Sequence, residues 1–125
     1  MNSGQSLFEL FFEMLNTIKL YHWKTTSYAE HKATDELHEK LSENIDKYVE
    51  VLLGKQIPTR IDYNKSTVTV YDFNVKDKFI KKLQHYASIL NKFNEILTEN
   101  DSDLLNIRDE MLANINQTLY LLSLN

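Results

Sequence analysis

Only two glycines and one proline occur in this chain of 125 residues. Folds rich in β-strands need many tight turns, and these two residue types dominate such turns. Their scarcity therefore predicts long helices joined by few loops. A chain of this length can bury one good hydrophobic core, so we expect a single all-helical domain over residues 1–125.

The amino-acid composition excludes or disfavours several classes of function. The chain has no cysteine, which excludes disulfides, thiolate zinc sites and a cysteine nucleophile. Its formal net charge is -4 and neither end carries a block of lysine or arginine, which disfavours a nucleic-acid-binding protein. Glu9 and Glu13 interrupt the first apolar run, and no uncharged stretch is long enough to span a bilayer. We expect a cytoplasmic protein without nucleic-acid or membrane partners.

Two helices are predicted in the first half of the chain. The first, Ser6 to Lys24, is apolar on more than one side, as expected of a helix that meets both a core and a partner subunit. Its polar strip contains only Glu9, Glu13, Asn16 and Lys19, and Trp23 should seal the end of the core. Ser27 and Glu30 form a capping-box pattern that opens the second helix. Gly54 is the residue type favoured just after a helix C-terminus, so the second helix should end near Leu53.

Residues 55–73 form the only long stretch without helical periodicity. Fully extended, it could cover roughly 60 Å, whereas a helix as long as the second needs only about 35 Å. The stretch can therefore run the whole length of a bundle and make the second and third helices parallel. The third helix should open at Asn74 and Asp77, and a turn at Asn100 to Ser102 leads to the fourth. The predicted core stripes are Ala33, Leu37, Leu41, Ile45, Tyr48 and Leu52 on the second helix and Phe79, Leu83, Tyr86, Leu90, Phe93 and Leu97 on the third. Two short connections and one long crossover favour a ferritin-like four-helix bundle; an up-down bundle with a loose middle loop is the alternative.

A group of residues with metal-ligand side chains follows one side of the second helix: His31, Asp35, His38, Asp46 and Glu50. Asp46 has no lysine or arginine three or four residues away, and its like-charge pairing with Glu50 costs about 0.2–0.5 kcal/mol of helix stability. Unpaired carboxylates on one face indicate a missing cation. Imidazole and carboxylate together suit iron, manganese or zinc. A solvated helix face without function is the alternative.

The two i,i+4 pairs, His31 with Asp35 and Asp46 with Glu50, stand roughly 22 Å apart along one helix. They cannot share a metal ion within one copy of the helix. A second copy running antiparallel about a two-fold axis near Lys40 would bring each pair beside the complementary pair of its partner. Because two-fold dimers are the commonest oligomers, the spacing predicts a homodimer, or a larger assembly, with two identical sites.

These residues resemble a known pattern. His22-Trp23 followed by His31-x-x-x-Asp35 and Asp46-x-x-x-Glu50 is similar to the miniferritins of the DNA-protection-during-starvation family. The resemblance implies iron oxidation at a site between subunits, with His22, His31 and Asp35 from one subunit and Asp46 and Glu50 from its mate. The turn between His22 and His31 is three residues shorter than in that family, and the family's basic tail is absent, so neither DNA binding nor its twelve-subunit cage is implied. His38, one turn from Asp35, would be an outer ligand or a surface histidine.

The chain also looks like small ferritin-like proteins of phages and large DNA viruses, through Ser27-Tyr28-Ala29-Glu30-His31 and Tyr120-Leu121-Leu122. A viral origin would place it in the host cytoplasm or the virion. Two functions remain open: a ferroxidase that binds iron (or zinc or manganese without redox work), and a metal-free structural or assembly module. A standard di-iron site within one chain is disfavoured, because the fourth helix has no histidine to complete the Glu-x-x-His pattern.

Overall fold

The computed structural model describes residues 6–55 and 67–124, and within these ranges all regular structure is helical. The helices are α1 (Leu7–Lys24), α2 (Tyr28–Lys55), α3 (Lys76–Asn91) and α4 (Ser102–Leu122), with short 3₁₀ segments at Lys92–Glu95 and Glu99–Asp101. The predicted all-α architecture of four helices is confirmed. Most of the predicted long connection, residues 56–66, lies outside the described residues.

The first two helices begin largely as their sequences predict. Ser6 accepts a hydrogen bond from the backbone of Glu9, and Ser27 accepts one from the backbone of Glu30. The second half of the predicted capping box is wrong: the Glu30 carboxylate accepts a hydrogen bond from the Tyr21 hydroxyl at 2.6 Å instead of turning back to Ser27. The predicted stop at Gly54 is also wrong, since α2 continues to Lys55.

The third helix differs from its prediction at both ends. It begins at Lys76 after an N-cap residue, Val75, that supplies no side-chain hydrogen bond, so Asn74 does not cap it. At its other end, the buried Arg108 of α4 donates to the backbone oxygen of Leu90 at 2.8 Å and to the side chain of Asn94 at 2.7 Å. A guanidinium at the C-terminus of a helix satisfies carbonyls that the helix leaves unpaired, and α3 gives way there to the 3₁₀ segment.

The core is formed by apolar side chains from all four helices. Its fully buried members include Leu10, Phe11, Met14, Ile18, Leu37, Leu41, Phe79, Leu83, Tyr86, Leu90, Leu104 and Met111. Most of them recur at intervals of three or four residues, which is the spacing of one helix face. The predicted core stripes of α2 and α3 are therefore confirmed through Tyr48 and Phe93.

One charged residue of α1 lies inside this core. Glu13, predicted as part of a polar strip, is only 3% exposed. Its carboxylate accepts a hydrogen bond from the Tyr86 hydroxyl at 2.7 Å and lies 3.6 Å from the Lys82 ammonium. Burial raises the pKa of Tyr86, so its hydroxyl keeps the proton that it donates. The helix face assigned from polarity alone was wrong here because a buried carboxylate is tolerated when it has partners.

Two ion pairs join helix ends. Glu30, in the first turn of α2, lies 3.9 Å from Lys76 at the first position of α3. Lys55, the last residue of α2, pairs with Asp103 at 3.0 Å near the beginning of α4. Between residues 67 and 73 the chain lies over α1, with the Tyr71 backbone donating to Thr17. No helix in the described parts of the chain has the length and apolar character needed to cross a membrane.

Candidate metal centre

The turn between α1 and α2 brings His22 and His31 into direct contact. Their rings stack with centroids 3.9 Å apart and an interplanar angle of 17°. Each ring bonds the backbone of the other residue: Nδ1 of His22 lies 2.7 Å from the His31 oxygen, and Nδ1 of His31 lies 2.8 Å from the His22 oxygen. We call this reciprocal arrangement the histidine clasp.

The clasp determines which ring nitrogen is available to a ligand. A backbone carbonyl can only accept a hydrogen bond, so both Nδ1 atoms must carry the proton and donate it. In the neutral imidazole this leaves the lone pair on Nε2. The Nε2 of His22 lies 3.9 Å from Oδ1 of Asp35. His22 is 6% exposed and His31 is exposed, so one ring is fixed in the protein and the other reaches the surface.

Neighbouring side chains hold the clasp in place. The Thr34 hydroxyl, which is fully buried, donates to the Glu30 backbone oxygen at 2.8 Å and lies 3.3 Å from Nδ1 of His22. Tyr21 is held by its bond to Glu30 and by a stacked contact with Phe79. Burial raises the pKa of Tyr21, and the bond to the Glu30 carboxylate raises it further. The orientation of His22 thus rests on contacts with α2.

His38 lies on the same end of α2 and is half-buried. Burial lowers its pKa, the positive charge of Lys19 on α1 lowers it further, and Asp35 opposes these effects. The neutral imidazole is therefore favoured, which is the form that binds metal. Among the described residues His38 forms no direct hydrogen bond to His31 or Asp35, so its role as an outer ligand stays a prediction.

The second acidic pair lies at the opposite end of α2. Asp46 and Glu50 are exposed and border an open groove of about 360 Å³ between α1 and α2, whose floor is apolar and includes Phe8, Phe12 and Val49. In the described parts of the chain, neither carboxylate has an ion-pair partner within 4.0 Å. Two carboxylates one turn apart on a helix can hold a cation together if other ligands complete the set.

A single subunit brings together only part of the predicted ligand set. At one end of α2, His22 stacks on His31 and its Nε2 lies 3.9 Å from Asp35. Asp46 and Glu50 lie about 22 Å away along α2. Across residues 6–55 and 67–124, no three histidine, aspartate or glutamate side chains of one chain are close enough to hold a metal ion.

Sequence reasoning missed the clasp and misplaced one aromatic residue. Trp23, expected to seal the end of the core, is 67% exposed. The clasp depends on backbone carbonyls, which have no signature in the sequence. The signal that was available was the short segment between two helices, Thr25 to Ser27, which forces the end of α1 against the beginning of α2.

Comparison with known proteins gives a family but no activity. The model of a family of unknown function, DUF5856, matches residues 22–122. The chain belongs to this family. The match begins at His22 and includes every predicted ligand. No curated protein and no solved structure matches the chain.

Proposed function

We propose that this member of the DUF5856 family binds Fe(II) and oxidises it at a site shared across a two-fold dimer, in the manner of the miniferritins that its sequence resembles. His22, His31 and Asp35 of one subunit form the histidine half of the site. Asp46 and Glu50 of a second copy form the acidic half. Each dimer would then hold two identical sites.

The contacts between helix ends support the ferritin-like connection on which this site depends. The Glu30–Lys76 pair joins the beginning of α2 to the beginning of α3, which fits two parallel helices. The Lys55–Asp103 pair joins the end of α2 to the beginning of α4, which fits an antiparallel pair. Parallel α2 and α3 need a long crossover between them, as in ferritin-like bundles.

The single observation that carries the metal assignment is the histidine clasp. Metal-binding histidines usually donate their second ring N–H to a carbonyl or carboxylate, which fixes the tautomer and the ring orientation. Both histidines make such a bond, at 2.7 and 2.8 Å. With both Nδ1 atoms donating, both rings keep their Nε2 lone pairs for a ligand, and the Nε2 of His22 lies 3.9 Å from the Asp35 carboxylate.

The chemistry of the two halves suits iron as a substrate. Imidazole and carboxylate ligands accept Fe(II), and hard carboxylate oxygens favour the Fe(III) product. Each Fe(II) loses one electron to an oxidant from solution, either dioxygen or peroxide; one hydrogen peroxide takes up two electrons and two protons and gives two water molecules. Zinc or manganese would bind the same ligands without this turnover. Because protons compete with metal for Nε2, binding should weaken in mildly acidic solution.

The first test removes the acidic half. Asp46→Asn/Glu50→Gln should abolish stoichiometric iron binding, measured by elemental analysis, and Fe(II) oxidation followed by absorbance. The matched control is Glu95→Gln/Glu99→Gln, which removes two exposed charges, also four residues apart, from the α3–α4 connection. If both double variants bind and oxidise iron as the wild type does, the proposal fails.

The second test asks whether the site is shared. His31→Gln breaks only the histidine half, and Asp46→Asn/Glu50→Gln breaks only the acidic half. In a mixed dimer one site carries both defects and the other carries neither. Refolding the two inactive variants together should therefore restore about a quarter of wild-type oxidation, since half of the dimers are mixed and each has one intact site. A site within one chain would recover nothing on mixing.

The alternative function, a metal-free interaction or assembly module, predicts a different result. Wild-type protein would then bind no iron, manganese or zinc above the level of the acidic double variant. Its α1/α2 surface would still pair with another molecule. Metal content of the purified protein separates these two functions directly.

A further inference from the structure

One side of α1 carries apolar side chains that are exposed or only partly buried. Phe8, Phe12, Leu15, Lys19 and Trp23 follow one another at intervals of three or four residues and so share one face of the helix. Phe12 is 49% exposed and Trp23 is 67% exposed. Exposed aromatic residues aligned on one face mark a surface for another molecule more often than isolated ones do.

This face has a groove at the N-terminal end of α1 and an exposed tryptophan at the C-terminal end. At the hollow end, Phe8, Phe12 and Leu15 of α1 and Val49 of α2 line the open groove. At the other end Trp23 stands out from the last turn of α1, with the Lys19 ammonium 5.9 Å from the centre of its ring. A groove lined by phenylalanine and an exposed indole are both largely apolar, so each can remove the other from water.

The spacing of these two features is that of a self-complementary surface. The midpoint between Phe8 and Trp23 falls between residues 15 and 16 of α1. On α2, the midpoint of His31 and Glu50, and equally that of Asp35 and Asp46, falls between residues 40 and 41. The two helices thus specify, from unrelated residue types, the centre of a two-fold axis.

The packing of α1 on α2 brings these two centres to the same level. Nδ1 of His22 lies 3.3 Å from the Thr34 hydroxyl, and the rings of Phe11 and Tyr48 are 5.5 Å apart. Interpolation between these contacts places the centre of α1 within about one helical turn of the centre of α2. One axis can therefore serve both helices.

We infer that Trp23 of each subunit inserts into the groove at Phe8 and Phe12 of a second copy of this chain, and that this contact holds the dimer together without metal. The inference rests on the same dimer as the proposed function and adds the residue that anchors it. Each dimer contains two such anchors, each about 11 Å from the axis along α1.

The charges around the two ends also fit. Asp46 and Glu50 border the groove, and Lys19 accompanies Trp23. Within the described residues Lys19 forms no ion pair of its own. Pairing the copies would bring this ammonium towards the acidic border of the groove, which favours the antiparallel arrangement over a parallel one.

Trp23 is the only tryptophan in the chain, so its fluorescence reports on the anchor alone. The full chain is diluted in chelator-containing buffer, and the mass from sedimentation is measured alongside the Trp23 emission. We expect a monomer–dimer equilibrium in which emission moves to shorter wavelength as the dimer forms, because the indole leaves water. A monomer at every concentration, with or without metal, would overturn the inference.

Matched variants test the residue itself. Trp23→Ala removes both anchors, and loss of an interface aromatic of this kind weakens binding about 30-fold or more, so the dimer should dissociate roughly a thousandfold more readily. Phe12→Ala removes an aromatic ring from the groove and should also weaken the dimer. In any dimer that remains, the Trp23 emission should move to longer wavelength, because the indole is less well covered. The control is Tyr120→Ala, an aromatic residue 63% exposed on α4, which should leave dimerisation unchanged. Equal dimerisation of the Trp23→Ala and Tyr120→Ala variants would refute the anchor.

The outcome separates the anchor from the iron site. A metal-independent dimer with buried Trp23 that binds no iron would leave the anchor standing and remove the proposed function. If the protein dimerises only when iron is added and Trp23 stays in water, the anchor is refuted and the proposed function stands.

Discussion

Two pairs of carboxylates on α1 and α2 lie in contrasting surroundings. Glu13 and Glu30 face elements of their own chain and have partners there: Tyr86 and Lys82 for the first, Tyr21 and Lys76 for the second. Asp46 and Glu50 face outward beside an apolar groove and have no cation near them among the described residues.

This difference separates carboxylates that support the fold from carboxylates to which the fold gives no partner. A buried carboxylate persists only when hydrogen bonds and an opposite charge offset the loss of water. An exposed pair of like charges on one helix face gains nothing from the fold and slightly destabilises the helix. Substitutions in the two groups should therefore act on different properties.

The largest effect on stability should come from Glu13→Ala. The change leaves the Tyr86 hydroxyl without its acceptor and Lys82 without its charge partner, and loss of one member of a buried pair costs about 3 kcal/mol. Urea denaturation in chelator measures this loss. Glu13→Gln keeps an acceptor for Tyr86 and should lose less; equal stability of Glu13→Ala and the wild type would show that the network does not support the fold.

A smaller effect is expected where a paired carboxylate lies at the surface. A hydrogen bond from Lys55 lowers the pKa of Asp103, and one from the backbone of Leu104 lowers it further. The pKa of Asp101 is lowered first by a hydrogen bond from the Thr98 backbone and then by Lys55. These contacts stabilise the folded chain above the unfolded aspartate pKa of about 4, and the contribution is lost as pH falls through the lowered folded values. Lys55→Ala should lower the midpoint of thermal unfolding slightly at pH 7. At a pH low enough to protonate both aspartates the difference should vanish; a difference that persisted there would exclude this ion-pair origin.

The smallest effect on stability should come from Asp46→Ala/Glu50→Ala. Without metal, removal of two exposed unpaired charges should change the free energy of unfolding by no more than about 0.5 kcal/mol, and relief of their repulsion favours a slight gain. Chelator-treated monomer, at a concentration below dimerisation, is the sample for denaturation. A loss comparable to that of Glu13→Ala would place this pair among the structural carboxylates.

The sequence predicts the bundle well because helical periodicity is a local property. The core stripes, the limits of α1 and the cap at Ser27 all depend on residues within a few positions of one another. The predictions are wrong where contacts with residues distant in the sequence determine the burial of a side chain. Glu13 is buried because Tyr86, 73 residues away, donates to it. Gly54 remains helical although its residue type is favoured as a helix stop.

In the candidate site, too, local features could be predicted from the sequence and tertiary contacts could not. The group of His31 and Asp35 and the unpaired state of Asp46 and Glu50 follow from spacing on one helix. The contact of His22 with His31 depends on the path of a short connection and on two backbone carbonyls, which no residue pattern encodes. The exposure of Trp23 likewise depends on which face of α1 the rest of the chain covers.

The histidine clasp also has a kinetic consequence. It joins residues only nine positions apart, so the corner between α1 and α2 can form by closing a very small loop. The contact between Glu13 and Tyr86 must wait for a far larger loop to close. We therefore expect the helical hairpin of α1 and α2, with its histidine half-site already oriented, to assemble before the remaining helices dock against it.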